Sequence, residues 1–188
     1  MTRIAHLDPQ TTTGHAKAMF DGVQAKLGMV PNLFRVLGNA PAALNGYLGL
    51  GMALGAGSFS AKLREQIALT VAESNQCAYC LSAHTFVGGK LGLTDQDIAG
   101  ARRAGAADPR TDAILKLARV LVVQRGELDA TSLAEARAAG LTDGDLIETV
   151  ANVALNIFSN YVNHIAGTVI DFPEVKLGSE RASAVTCR

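Results

Sequence analysis

Cys77, Cys80 and His84 stand three and four residues apart in "ESNQCAYCLSAHT", and Glu65 lies twelve residues before the first of them. A thiolate is a nucleophile, but a free thiol near neutral pH is mostly protonated, so it needs a base or a favourable field. A histidine one helical turn from a cysteine can take its proton, and a carboxylate behind the ring can orient it. The spacing of His84 from Cys80 therefore favours Cys80 as the attacking thiol. Cys77, at the start of the same helix, is instead favoured as an anion by the helix dipole, so the two arguments pull toward different sulfurs. Attack by Cys80 on a peroxide would leave a sulfenic acid that Cys77 could capture as a disulfide.

For these groups to meet, the chain must turn back. In one unbroken helix Glu65 and Cys77 would lie about 18 Å apart. Asn75, in "ESNQ", is a residue type that tolerates the left-handed conformation ending helices. A reversal there puts Glu65, ten residues before it, level with His84, nine residues after it. Cys77, Cys80, Leu81, His84, Gly88 and Leu91 then share one helical stripe. Glu65 has Ala68, Leu69 and Ala72 on its own face, small apolar neighbours that allow close approach. Glu73, four residues before Cys77, reads as a solvated helix-end charge.

The elements around this segment read as helices almost throughout. Apolar residues recur at helical spacing over Thr11–Leu27, and "VPNLFRVLGNAP" is a short helix between Pro31 and Pro41. A glycine-loosened helix runs from Ala42 to about Ala56, and the next runs from Ala61 to about Ser74 with Ser60 as N-cap. Thr94 opens a helix closed at Gly105. Asp108–Gln124 and Thr131–Ala139 follow, and the longest helix starts near Thr142 or Asp143 and ends by Gly167. No alternating strand pattern interrupts the list. The expected class is all-α, a single domain of about eight helices over residues 1–188, with its core at 28–175 and a tail at 176–188. "LTDQDI" and "LTDGDL" open two helices alike, which a shared capping habit explains.

Composition excludes several classes. Lys+Arg and Asp+Glu balance at 17 each among 188 residues, with no basic stripe for nucleic acid. Arg35 to Lys62 encloses 26 uncharged residues, but Pro41, Asn45 and five glycines in "GYLGLGMALGAGS" break any membrane span. The glycines read as close packing, within the chain or between subunits. Three cysteines make no disulfide framework, and the N-terminus lacks a secretory pattern, so a cytoplasmic location is expected. Cys77, Cys80 and His84 supply three zinc ligands where a structural site wants four; only His164, Cys187 or another chain could complete it. Asn156, Asn160 and His164 form a polar ladder on the longest helix.

The pattern of Glu65, Cys77, Cys80 and His84 resembles the alkylhydroperoxidase D-like branch of the carboxymuconolactone decarboxylase superfamily. "VPNLFRVLGNAPAAL" and "NYVNHIAGTVIDFPEV" look like the flanking signatures of its peroxidase-related members. The resemblance implies an all-helical homo-oligomer, a trimer or hexamer, that reduces hydroperoxides without a bound cofactor. It implies that Cys80 attacks, Cys77 resolves, and His84 and Glu65 relay protons. It also implies an external thiol reductant, a dihydrolipoyl or thioredoxin-type carrier. Some relatives carry a further relay histidine just before the second cysteine, where this chain has Tyr79, a poor base near neutral pH; Tyr79 and His164 are thus candidates for a supporting role. The alternatives are a lactone decarboxylase, which needs no redox pair, and a helical assembly protein with a Cys/His metal site.

Overall fold

The computed structural model describes residues 2–178; Cys187 and most of the expected tail lie outside the described residues. Among the described residues there are nine α-helices and no strand, close to the eight helices expected. They are α1 (Gly14–Leu27), α2 (Asn32–Leu37), α3 (Pro41–Gly55), α4 (Ala61–Ser74) and α5 (Ala78–Lys90). α6 (Asp95–Arg102), α7 (Pro109–Val123), α8 (Ala130–Ala138) and α9 (Asp143–Ala166) complete the bundle. No helix among them is long and apolar enough to cross a membrane.

α4 runs through the middle, packed by α5, α6, α7 and α9. Its residues from Gln66 to Ala72 are all buried, which is why it lacks one clear apolar face: a helix enclosed on every side is apolar all round. Where it carries a polar group, that group is spent on a neighbour. Thr70 Oγ1 donates to the Ala101 carbonyl of α6 at 2.7 Å.

The caps explain most boundaries. Ser60 Oγ accepts from Leu63 N, as expected. Thr94 and Thr142 each close a reciprocal capping box with an aspartate three residues on, so the likeness of "LTDQDI" to "LTDGDL" is indeed a capping habit. Gly167 ends α9 in the left-handed conformation. At the end of α6 that conformation falls on Ala104 (φ 58°) rather than on Gly105.

Two expectations need correction. Glu73 is not solvated: Arg102 Nε donates to its Oε2 at 2.6 Å, and the Gly178 amide donates to its Oε1 at 2.6 Å. The second concerns the five glycines: inside the chain Gly57 alone is closely packed, against the Glu148 carboxylate, and the four on α3 are not. A Cβ at Gly46, Gly49 or Gly55 would meet nothing within 4 Å, and at Gly51 only Leu155 at 3.8 Å.

The two flanking signature segments meet each other. The Asn32 amide, at the start of α2, donates to Asp171 Oδ2 at 2.8 Å, and its side chain donates to the Val169 carbonyl at 3.0 Å. The Val175 amide then donates to Ser82 Oγ on α5 at 3.0 Å. The segment after α9 is thus tied to both α2 and α5. At the opposite end of α9, Glu148 accepts from the amides of Ser58 and Phe59 and from the Ser58 hydroxyl, which fixes the entry to α4. Glu148→Ala strands these donors and should cost roughly 1–3 kcal/mol. Urea unfolding should show a lower midpoint at unchanged slope.

Candidate active site

The reversal expected near Asn75 is present, but a different residue makes it. Asn75 is the C-cap of α4 in right-handed geometry, and Gln76 takes the positive φ of 55°. Cys77 N donates to Ala72 O at 2.9 Å and Gln76 N to Glu73 O at 3.1 Å, the paired bonds of a Schellman turn. Asn75 is left free to use its side chain elsewhere.

The turn brings α5 down on α4. Gly88 faces Glu65 across this contact with ordinary room, a Cβ there standing 3.8 Å from Glu65 Cβ, and it is Leu93 Cδ1, at 2.9 Å, that a side chain would displace. His84 Nδ1 and Glu65 Oε2 stand 2.8 Å apart, with side chains only 22% and 17% exposed. The carboxylate therefore steers the ring at close quarters, as the hairpin argument requires. Burial alone would lower the His84 pKa, but the charge and hydrogen bond of Glu65 outweigh it, and the Cys77 charge adds to them. The net direction is upward from 6.5, which favours the imidazolium. The pair's contribution to stability is present below that unfolded value and lost as pH rises through the raised folded one.

Both cysteines are free thiols with 2% exposure. Cys77 is the N-cap of α5, where its sulfur accepts from the Cys80 amide at 3.4 Å. A hydrogen bond from the Cys80 thiol lowers the Cys77 pKa; burial opposes this, while the Cys80 amide, the His84 charge and Asn163 support it. Cys80 is driven the other way, first by burial and then by the bond and charge of Cys77, with Asn163 and Asn160 opposing. Cys77 is thus the more acidic of the two thiols. The histidine expected to act on Cys80 through helical spacing is felt at Cys77.

α9 supplies what the sequence argument missed. Asn163 Nδ2 donates to Cys80 Sγ at 3.1 Å. Asn160 Oδ1 accepts from Asn75 Nδ2 at 2.9 Å. Of the polar ladder, Asn156 donates to the Asn152 carbonyl of its own helix and Asn160 holds the turn, while the hydrogen bond to sulfur comes from Asn163, outside the ladder. His164 Nε2 donates to the Asn75 carbonyl at 3.0 Å and secures the turn. Tyr79 is also occupied structurally: its hydroxyl accepts from the Leu33 amide at 3.1 Å, and its ring meets Phe172 edge-on. Burial raises its pKa well above the usual phenol value. Tyr47 on α3 was not foreseen. Its ring sits between Phe34 and Phe158, each 5.9 Å away, and burial followed by the Cys80 charge raises its pKa. The one sign of it in the sequence is a lone phenol in a stretch without charges. Among the described residues, no three His, Cys, Asp or Glu side chains come together as a metal site.

Residues 40–123, which hold Glu65, both cysteines and His84, match the model of the Carboxymuconolactone decarboxylase family. The fold is similar to that of a peroxidase-related protein with an alkylhydroperoxidase AhpD core from Ralstonia eutropha JMP134. The TM-score is 0.78 at 24% identity, over 90% of this chain and 92% of that one. A peroxidase-related protein from Silicibacter sp. TM1040 is similar with a TM-score of 0.74 at 24% identity, over 90% and 94%. A variant of the debrominase Bmp8 in complex with 2,3,4-tribromopyrrole is similar with a TM-score of 0.77 at 20% identity, over 91% and 92%. Among curated proteins none matches the sequence. The family match covers 84 of the 188 residues, and the solved structures share the all-helical fold over most of the chain.

The ion pair yields a direct check. Glu65→Gln removes the charge that holds the His84 proton while leaving the ring buried, so the His84 pKa should fall. Titration of the His84 ring protons by NMR measures it; an unchanged midpoint would mean that the carboxylate does not steer the ring.

Proposed function

We propose that the protein is a thiol-dependent hydroperoxide reductase that cycles through a Cys77–Cys80 disulfide. The observation that carries this reading is a buried cysteine pair, with an amide donating to each sulfur, on the same helix hairpin as the Glu65–His84 pair. The family match and the peroxidase-related neighbours support a peroxidase-type role at the level of the superfamily.

In the cycle, the Cys80 thiol passes its proton to Cys77, and the Cys80 thiolate, held by Asn163 Nδ2, attacks the terminal oxygen of the hydroperoxide. The S–O bond forms and the O–O bond breaks. The departing alkoxide takes a proton from His84, which its raised pKa keeps available, and leaves as an alcohol. The Cys77 thiol then attacks the Cys80 sulfenic acid; the disulfide forms and water departs with the Cys77 proton. An external dithiol, of dihydrolipoyl or thioredoxin type, returns two electrons and two protons. The lower pKa of Cys77 suits it as the leaving thiolate in that exchange.

Cys80→Ser should abolish turnover, and Cys77→Ser should stop it after one sulfenic acid per chain. Mass spectrometry after peroxide treatment reads both. Steady peroxide consumption with no Cys77–Cys80 disulfide would overturn the two-cysteine cycle. The tribromopyrrole complex of the debrominase suggests a second reading, reduction of a halogenated ring by the same pair. Consumption of tribromopyrrole with none of hydroperoxide would favour it.

A homo-oligomer is part of the proposal. Ile147, Val150, Ala154, Phe158, Tyr161 and Ile165 are exposed along α9 at steps of three or four residues, the spacing of a helix–helix seam. A second copy offers the same seam and is the occupant whose spacing fits it. Ile165→Glu should shift the particle to lower mass in light scattering; a wild-type monomer would sink this part.

A further inference from the structure

Two buried amide atoms beside Cys80 have no partner in the fold, and they differ in kind. Asn160 has no exposed surface, and Asn163 is 4% exposed. Asn160 Oδ1 is held by Asn75, yet its Nδ2 makes no hydrogen bond. Asn163 Nδ2 donates to the Cys80 sulfur, yet its Oδ1 makes none. Leaving such atoms unpaired in the interior is costly. Both residues lie on one face of α9, three positions apart, against the sulfur that attacks in the proposed cycle. The Asn160 amide also acts on the Cys80 anion, though it lies outside hydrogen-bond geometry to the sulfur.

We infer that Asn160 Nδ2 and Asn163 Oδ1 form the subsite that binds the O–OH group of the substrate and lines it up with Cys80. A hydroperoxide presents one donor, its terminal hydroxyl, and acceptor oxygens; the subsite offers one acceptor and one donor. This rests on the peroxidase reading above. Asn163 Oδ1 accepts the terminal O–H, which holds the oxygen under attack near the sulfur that Asn163 Nδ2 already positions. Asn160 Nδ2 donates to the inner oxygen, where negative charge grows as the O–O bond breaks. The terminal oxygen keeps its hydrogen and becomes the sulfenic acid on Cys80. The inner oxygen leaves as alkoxide and takes its proton from His84, so atoms and charge balance. A donor aimed at an oxygen that becomes anionic acts mainly on the transition state.

The test compares two reagents on the same sulfur. In a Cys77→Ser background, Cys80 is reacted with tert-butyl hydroperoxide and, separately, with methyl methanethiosulfonate, which needs the same thiolate but carries no O–OH group. The ratio of the two rates cancels any change in ionisation or access. Asn160→Ala should lower that ratio by roughly 10- to 100-fold, with the methanethiosulfonate rate little changed. Asn160→Asp keeps the oxygen that holds Asn75 and loses the donor. It should lower the ratio too, which covers the case where the alanine variant does not fold. An unchanged ratio in the folded variants overturns the subsite alone. A parental protein whose Cys80 reacts with methanethiosulfonate but no faster with hydroperoxide than a free thiol overturns the peroxidase reading, and the subsite with it.

Discussion

Gln76 accepts a strained positive φ so that Cys77 N–H can reach back five residues to the Ala72 carbonyl. That one turn decides the site. Without it, the acid, the imidazole and the sulfurs would be strung along some 18 Å of helix. With it, Glu65 and His84 close to 2.8 Å, and Cys77 becomes the cap of the next helix. The turn is reinforced from outside: Asn75 bonds Asn160 through its side chain and His164 through its carbonyl. The same contacts that stop α4 therefore also orient the amide that faces the thiol pair.

The electrostatics follow from burial of two thiols in one place. Removing a thiolate from water is costly, and two adjacent thiolates would cost far more, so a proton is retained on one of them. Its position is set by unequal surroundings. Cys77 receives the helix-end amide and the charge of His84, whereas Cys80 relies on the amides of α9. The opposing arguments that the sequence raised about the two sulfurs thus describe two different steps. The dipole argument names the more acidic thiol. The family resemblance implies which sulfur attacks, and the Asn163 bond is consistent with it.

Much of this was legible because it is local. The caps at Ser60, Thr94 and Thr142 follow from hydrogen bonds within three residues, and the facing of Glu65 and His84 needs only residue counts on either side of a turn. What escaped was non-local. Asn163 is 83 positions from Cys80, and no spacing rule links them. The choice between Asn163 and His164 depends on the rotation of α9, which its packing against α4 and α7 decides. Glu73 looked solvated because its partners, Arg102 and Gly178, come from distant segments. Tyr79 offered a hydroxyl at a tempting position, yet α2 claims it at its own amino end. In each case a polar side chain was read by its neighbours in sequence, whereas its partner was chosen by the fold.

The order in which these partners leave the ribosome has a consequence. Domains fold as units during synthesis, and the Asn163 amide is made only after 83 further residues have followed Cys80. The tie from Val175 to Ser82 comes later still. Until α9 docks, Cys80 lacks the amide that donates to its sulfur, so an incomplete chain carries the cysteine pair without that contact.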